Sequence, residues 1–522
     1  MLTNFPRLFA AAMLLALCAT PARADARADS VIAIVGATVI DGRGGAPLAD
    51  AVVIITGRRI TAVGSRTGVT IPKGARIITA TGKFLVPGFI DTNVHMSMYS
   101  RLESLARYED RFTDIAVEGA QLQLKFGVTS VRDSYGMLKP LLEARGRIER
   151  GEVPGSRLQV AGNIVGWGGP FSLTFTGAPP VNLSLFQEQM NDAVAAGAGE
   201  ELMGMTPDQL RVAINKYLDK GVDFVKYGGT SHAFYPAMLG FSEAAQQALV
   251  EEVHKRGKVA ETHATSPEGL RLAIEAGVDL VQHPEMTDAP IPPDIIAMMV
   301  KRGVICSMLA NNITGKPWAD LLKRQKTRAD SIKAADSTRA AAAQHPDTLR
   351  SSVDSAVAML TRERPVRART GAEVSRDSTI ERTLIKRRNA EALIKAGCVV
   401  TSSTDNYRGE APEFERAPKA EYNFPGIGTL LSIEGLVELG MTPSQAIVAA
   451  TKNGAIAMRM GTELGTIETG RLADLLLLDA DPLADIHNIR RQSMVMKDGS
   501  VIDVRRLPLK PVFYRPVPKP PI

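Results

Sequence analysis

A unit of three parts recurs along the middle of the chain: a helical segment ending in glycine, a short apolar run, and a polar residue that closes the run. Glycine after the last turn of a helix permits the left-handed turn that leads into a strand. Together with an opening apolar run, the recurrence predicts eight βα units, the number in a closed parallel barrel of the TIM type. The apolar runs lie at 84–95, 128–133, 156–162, 222–226, 258–263, 278–283, 304–308 and 398–405.

Both ends of the chain have a different pattern, with short β-branched runs separated by glycine turns and no helical period. Neither end alone makes a good domain. We therefore predict an α/β fold in which a (β/α)8 barrel spans 84–456 and a small β-sandwich is built from 25–83 and 457–506. The Pro-rich segment 507–522 is predicted to be an extended tail.

The first residues of the chain resemble an export signal. Arg7 precedes an apolar run from Leu8 to Cys18, and Ala22-Arg23-Ala24 offers small residues at a cleavage site. The run is too short to span a bilayer. We predict that 1–24 is a signal peptide, and that the mature chain is periplasmic or secreted and is not held in a membrane.

Composition excludes some partners. The chain is 45% hydrophobic and 23% charged, which is ordinary for a globular protein. A formal net charge of +6 over 522 residues is too mild to indicate nucleic-acid binding. The sequence leaves a homo-oligomer open.

Two insertions interrupt the recurring units. Segment 169–205 is rich in small and apolar residues and is expected to fold over the barrel mouth. Segment 318–388 is charged and Ala-rich with helical spacing. It predicts extra helices that form a lid, a subunit contact or a solvated excursion.

Five chemically active side chains close the predicted strands: His95, Lys226, His263, His283 and Asp405. In a barrel, the carboxyl ends of all strands meet at one rim. Imidazoles and a carboxylate on one rim suit a divalent cation such as Zn²⁺, so we predict one or two metal ions there. Each residue alone is weak evidence: a single His is more often a core residue, Asp405 could cap a helix, and Lys226 could form an ion pair.

The predicted chemistry is hydrolysis. A bound cation lowers the pKa of a coordinated water from about 15.7 to about 7. Asp405 is the candidate for the carboxylate that takes the proton of the water and passes it to the leaving group. Because an ammonium is a poor neighbour for a metal, Lys226 fits there as a neutral amine or as a carbamate formed with CO₂.

Four further residues are weaker candidates for substrate contact: Asn93, Tyr227, His232 and Arg408. Asn93 lies two residues before His95 on one strand, so both side chains point the same way. Tyr227 could instead be a packing residue, and Arg408 could belong to a surface ion pair rather than grip a substrate carboxylate.

Several of these stretches resemble motifs of the amidohydrolase superfamily, in its imidazolonepropionase-like and prolidase-like branch. The resemblance implies a (β/α)8 barrel, one or two divalent metals, a carboxylated lysine at Lys226, and hydrolysis of amide, imide or ester-like bonds. The matching stretches are Pro87–Asp91, Gly127–Asp133, Val225-Lys226, Thr262-His263, Gln282–Pro284, Thr404-Asp405, Gly465–Asp474 and Asp481-Pro482.

One departure concerns the metal. The family opens with His-x-His, and this chain has Asn93 at the first of the two positions. A single metal held by carbamylated Lys226, His263 and His283 is then the simplest expectation. The leading hypothesis is a metal-dependent hydrolase of a C–N bond in a small molecule, such as an N-acyl amino acid or a dipeptide. The alternatives are a metal-poor binding protein or degenerate enzyme on the same barrel, and an esterase or lactonase.

Overall fold

The computed structural model describes residues 31–97, 101–176, 182–231, 237–327, 330, 371–416 and 419–515, with the backbone alone for 371–379. The predicted signal peptide lies outside the described residues. So do the middle of the second insertion and the last residues of the predicted tail.

Strands in the described part of the chain are short and are numbered here in chain order. They are β1 (Val31–Val39), β2 (Leu48–Thr56), β3 (Arg59–Ser65), β4 (Arg76–Thr79), β5 (Phe84–Pro87), β6 (Phe89–His95), β7 (Val128–Asp133), β8 (Arg157–Val160), β9 (Ile164–Val165), β10 (Val225–Gly228), β11 (Ala260–His263), β12 (Leu280–Gln282), β13 (Ile305–Met308), β14 (Val399–Ser402), β15 (Asn406–Tyr407), β16 (Leu475–Leu478), β17 (Gln492–Lys497) and β18 (Ser500–Val501).

Most helices follow the strands from β6 onward. The α-helices are Leu102–Arg107, Phe112–Lys125, Leu138–Glu149, Leu173–Thr176, Leu185–Ala195, Pro207–Leu218, Glu243–Lys255, Pro267–Glu275, Pro293–Arg302, Ala310–Ile313, Gly371–Lys395, Ile427–Glu438, Pro443–Val448 and Gly454–Ala457. Residues 315–327 are also helical. Short 3₁₀ or π turns lie at Glu200–Gly204, Pro284–Met286, Glu421–Asn423, Ala449–Asn453, Ile486–Arg490 and Val504–Arg506.

The helix starts follow from the sequence. Ser242, Ser266 and Thr442 each accept a hydrogen bond from a backbone N–H in the first turn of the helix that follows. Proline occupies the first turn after Ser266 and Thr442, where its missing N–H has no helical partner to lose.

Both ends of the chain meet in one sheet. Its strand order is β18-β17-β16-β5-β1-β2-β3, with β4 paired to β1. Strands from the C-terminal part pair with β5 through β16, which lies antiparallel to it. The predicted union of the two ends is therefore observed as a single sheet, while the two-layered sandwich stays a prediction.

The middle of the chain forms two parallel sheets, as the recurring units predict. One has the order β14-β13-β12-β11-β10-β9 and the other β15-β6-β7-β8. Their edges meet where the Thr92 hydroxyl of β6 lies 2.8 Å from the Thr401 hydroxyl of β14. The carboxyl ends of β6, β10, β11, β12 and β14 consequently point to one region.

The predicted opening strand 84–95 is two strands. Phe84–Pro87 belongs to the terminal sheet, and Phe89–His95 belongs to a parallel sheet. Gly88 lies between them against Thr129, where a Cβ atom would approach the Thr129 side chain to 2.3 Å. Glycine lets the chain pass this contact and change sheets.

Among the described residues, no helix has the length and apolar character that crossing a membrane requires.

Candidate active site

A small cavity lies at the carboxyl ends of the parallel strands. Its volume is about 110 Å³, enough for several water molecules. All five residues predicted to share a rim line it: His95, Lys226, His263, His283 and Asp405. The remaining lining residues are Ile164, Trp167, Thr265, Met286, Leu309 and Lys386.

Strand geometry explains the convergence. His95 and His263 are the last residues of β6 and β11, and His283 follows β12 directly. Asp405 lies three residues beyond β14, and Lys226 lies inside β10. Parallel strands deliver their carboxyl ends to one edge, so residues distant in sequence reach the same cavity.

One side of the cavity is organised around the Asp405 carboxylate. Its Oδ1 atom lies 2.8 Å from His95 Nε2, and it accepts a hydrogen bond of 3.0 Å from Asn93 Nδ2. The sequence predicts that Asn93 and His95 share a face, and both side chains meet the same carboxylate oxygen. Two residues of one strand, Asn93 and His95 of β6, therefore hold the Asp405 carboxylate in place.

Ser134 connects this side to the lysine. Its hydroxyl donates to Asn93 Oδ1 and accepts a hydrogen bond of 3.3 Å from Lys226 Nζ. Since Ser134 directly follows β7, the sequence places it at a strand end, although no motif identified it. The chain of contacts runs from Lys226 through Ser134 and Asn93 to Asp405.

The other side of the cavity is an imidazole pair. His263 Nδ1 lies 3.2 Å from His283 Nε2, and the two rings meet edge to face with centroids 4.7 Å apart. Trp167 contacts the His263 ring at a centroid distance of 4.9 Å. The pair is therefore held by aromatic packing from the loop after β9.

The surroundings of the cavity lower the pKa values of both Asp405 and Lys226. Burial alone would raise the pKa of Asp405, but the rings of His95 and, more weakly, His283 hold it well below its usual range. Burial lowers the pKa of Lys226, although nearby carboxylates oppose the shift. Lowering that pKa favours the unprotonated amine, the form that can bind a metal or react with CO₂.

Two site residues have left-handed backbones. His283 has a φ of +38° and Asp405 a φ of +54°. Left-handed conformations are unfavourable for residues with a Cβ and persist where the surrounding structure imposes them, often at functional sites. Both residues lie just beyond the regular part of their strands, where the turn aims the side chain at the cavity.

A second charged cluster lies deeper along the same strands. Arg132 of β7 forms a 2.6 Å ion pair with Glu261 of β11, and both side chains are completely buried. Gln282 donates a 2.8 Å hydrogen bond to the other oxygen of Glu261. Arg132 also lies over the Phe224 ring at 3.9 Å. The two charges of this cluster are thus paired with each other, and none of its residues is among those that line the cavity.

Two of the weaker candidates lie elsewhere. The Tyr227 hydroxyl donates a 2.9 Å hydrogen bond to Gln246, on the opposite face of β10 from Lys226. Arg408 forms a 2.7 Å ion pair with Glu118. Both side chains are buried, so this ion pair lies inside the protein and not on its surface. Neither residue lines the cavity. His232 lies outside the described residues.

The sequence did not identify Ser134, Trp167 or Lys386. Trp167 follows β9 in a glycine-rich turn, and a large aromatic side chain among small residues was the signal available in the sequence. Lys386 comes from the second insertion, whose helix Gly371–Lys395 brings it to the cavity wall. Nothing in the local pattern distinguishes this lysine from its neighbours.

The donor set fits a divalent cation. Two imidazole nitrogens bound to one tetrahedral ion at about 2.0 Å are about 3.3 Å apart, close to the 3.2 Å between His263 and His283. Within the part of the chain that the structure describes, no three His, Cys, Asp or Glu side chains form a ready-made metal cluster. A third ligand would therefore come from Lys226, as a neutral amine or carbamate, or from a small movement of Asp405.

Parallel strands that deliver histidines, a carboxylate and a buried lysine to one cavity define an enzyme active site of the hydrolase type. Residues 84–502 match the model of the amidohydrolase family, so the chain belongs to that family. This confirms the predicted family and the predicted enzyme class, a hydrolase of C–N bonds.

Curated relatives match over part of their length. The imidazolonepropionase of Geobacillus sp. (strain WCH70) is 34% identical over 122 residues, which cover 23% of this chain and 26% of the relative. That of Symbiobacterium thermophilum is 37% identical over 89 residues, 17% and 18% of the two chains. The chain thus matches about a quarter of these relatives or less.

Solved structures match over nearly the whole chain. Molinate hydrolase is 32% identical, with a TM-score of 0.76 over 95% of this chain and 99% of the other. Phenylurea hydrolase B is 28% identical, with a TM-score of 0.74 over 93% and 99%. A Xaa-Pro dipeptidase at 19% identity and a TM-score of 0.66, covering 91% and 100%, shows the fold alone.

Proposed function

We propose that this chain is a metal-dependent hydrolase that cleaves a C–N bond in a small molecule through an activated water. The observation that carries the proposal is that His95, Lys226, His263, His283 and Asp405 line one cavity. When bound, Zn²⁺ or a similar cation would supply a water of lowered pKa and a Lewis acid for a carbonyl oxygen.

The side chains then divide into two tasks. His263, His283 and a neutral or carboxylated Lys226 would hold the cation, and His95 and Asn93 orient Asp405. Asp405, kept ionised by its neighbours, accepts the proton of the attacking water and returns it to the leaving nitrogen. The hydroxyl of water joins the carbonyl carbon, the C–N bond breaks, and the products are a carboxylic acid and an amine.

We extend the proposal to the architecture and address of the protein. The meeting of Thr92 and Thr401 supports one closed (β/α)8 barrel made of both parallel sheets, over 84–456. The terminal sheet supports a small sandwich domain from 25–83 and 457–506. The signal at 1–24 would export the chain to the periplasm or beyond.

Turnover of defined substrates tests the proposal. The mature chain, supplied with Zn²⁺ or Mn²⁺, is assayed on N-acyl amino acids, dipeptides, phenylureas, molinate and lactones. The last group tests esterase or lactonase action. Hydrolysis of at least one C–N substrate, lost after chelation and restored by metal, is expected. Turnover of lactones alone, or turnover that is unaffected by chelation, would contradict it.

A metal-poor binding protein is a second candidate. It is favoured by Asn93 at the His-x-His position and by the lack of a ready-made three-donor cluster among the described residues. Metal analysis separates the two candidates, because this one predicts sub-stoichiometric metal after supplementation and no turnover of the panel.

A further inference from the structure

Among the residues of the second insertion that the structure describes, Lys386 lines the cavity. Its side chain is partly buried. With the residues that the structure describes, it forms no ion pair within 4.0 Å and no hydrogen bond. A partly buried ammonium without a close counter-ion is unfavourable for stability, so its position calls for a functional reason.

The helix that carries Lys386 is held firmly against the site. Asn389 lies three residues on, so it shares a face with Lys386. The Asn389 amide donates a hydrogen bond of 2.7 Å to Thr287 Oγ1. Its Oδ1 atom accepts a hydrogen bond of 3.0 Å from the backbone N–H of Ile291. Both partners belong to the segment that follows His283. The hydrogen bonds therefore fix the helix of Lys386 to this segment.

The neighbouring residue anchors a different face of this helix. Arg387 forms a 2.7 Å ion pair with Glu438 and donates a hydrogen bond of 3.1 Å to the carbonyl oxygen of Ile313. Its guanidinium also lies over the Trp318 ring at 4.5 Å. Lys386 therefore lines the cavity from a helix that is fixed on two sides, so the position of its side chain is well defined.

Glu285 is the nearest acidic candidate for a partner, and it does not neutralise Lys386. One oxygen of its buried carboxylate accepts a 2.8 Å hydrogen bond from the Leu309 N–H. The Glu285–Lys386 pair does not reach salt-bridge distance among the described contacts, although its charge opposes the lowering of the Lys386 pKa that burial causes. The ammonium thus remains available to a ligand.

We infer that Lys386 binds an anionic group of the substrate, and that the substrate is accordingly a C–N compound with a carboxylate close to the scissile bond. This inference rests on the proposed function and selects within it. N-acyl amino acids and dipeptides carry such a carboxylate, whereas phenylureas do not. Trp167, Met286 and Leu309 supply the apolar surface for the uncharged remainder of the substrate.

A matched pair of substrates tests the inference. N-acetyl-L-phenylalanine and N-acetylphenethylamine differ in the carboxylate alone. We expect the wild-type, metal-loaded mature chain to prefer the acid in kcat/KM by about 10- to 100-fold, as for a hydrogen bond to a charged group. Lys386→Met should remove this preference mainly by raising KM for the acid, with a much smaller change in kcat/KM for the neutral amide, while Lys386→Arg should restore part of the preference.

The control is Lys395→Met, because Lys395 is an exposed lysine on the same helix. It should keep the wild-type preference, and thermal unfolding should show that all variants are folded. An equal loss on both substrates in Lys386→Met, no loss on either, or a wild-type preference for the neutral amide would overturn the inference.

Failure of the proposed function has a different signature. Both compounds are also titrated calorimetrically into the metal-free chain. If no C–N bond is cleaved, hydrolysis is refuted, and binding of the acid that weakens about tenfold or more in Lys386→Met still supports the anion site. Equal binding by wild type and Lys386→Met refutes the site. Turnover of neutral amides or ureas alone refutes the inference and leaves hydrolysis standing.

Discussion

Two layers of charged and polar side chains lie on the same parallel strands and differ in what satisfies them. In the deep layer, Arg132 and Glu261 meet at 2.6 Å, and Gln282 completes the carboxylate. One step further along β11, on the same face as Glu261, His263 meets His283 at the wall of a cavity. The same strand therefore serves stability at one residue and chemistry two residues later.

The difference shows how to distinguish charged residues that stabilise the fold from charged residues that act on a ligand. Deep charges are matched within the protein, so their removal leaves an unpaired buried partner. The charges at the rim face a space that a ligand can enter, so their removal should affect reaction and binding more than folding. Each prediction below tests this division, beginning with the largest expected effect.

Asp405→Asn should reduce kcat by about 10²- to 10⁴-fold, because the variant cannot accept the proton of the attacking water. The amide can still contact His95, so the midpoint of thermal unfolding should stay close to that of wild type. Steady-state kinetics on the best C–N substrate measures the first effect and calorimetry the second. A variant with near-normal kcat would remove Asp405 from the mechanism.

Glu261→Gln should lower the free energy of unfolding by about 3–5 kcal/mol, because it leaves Arg132 buried without its counter-ion. Urea unfolding of the mature chain measures the loss. The matched control is the double variant Arg132→Met with Glu261→Leu, which removes both charges and should recover much of the stability. Equal stability of wild type and Glu261→Gln would show that the deep layer is not held by this pair.

Asn93→Ala should reduce kcat by about tenfold, because Asp405 loses one of its two donors and keeps the other. Metal content should not change, since Asn93 orients a carboxylate in this account rather than binding the ion. Elemental analysis and kinetics on one preparation check both statements. Asn93→His should raise the metal content if a missing imidazole limits binding, and a metal loss in Asn93→Ala would make Asn93 a ligand.

Much of the rim could be predicted from the sequence because strand ends are local features. A polar residue closing an apolar run, as at His95 and His263, lies at the carboxyl edge wherever the strands assemble in parallel. Alternation along β10 would also have excluded Tyr227, since its neighbour Lys226 faces the cavity. The polar residue at the end of an apolar run thus predicts where a side chain lies along its strand, and alternation predicts which face of the sheet it points to.

Other features depend on contacts distant in sequence. Gly88 divides the opening strand because Phe84–Pro87 pairs with β16, almost four hundred residues later. Lys386 reaches the cavity because Asn389 fixes its helix beside Thr287. Arg408 is engaged by Glu118, which also accepts hydrogen bonds from the backbone of Val512–Tyr514. No local pattern contains these pairings.

Titration of Zn²⁺ into the metal-stripped mature chain tests the central claim most directly. Wild type should bind at least one ion per chain, His263→Ala should lose that binding while remaining folded, and His254→Ala should behave as wild type, because His254 pairs with Asp279 on the surface at 2.8 Å. Binding that is absent in wild type, or unchanged in His263→Ala, would contradict the assignment of the rim to metal-assisted hydrolysis.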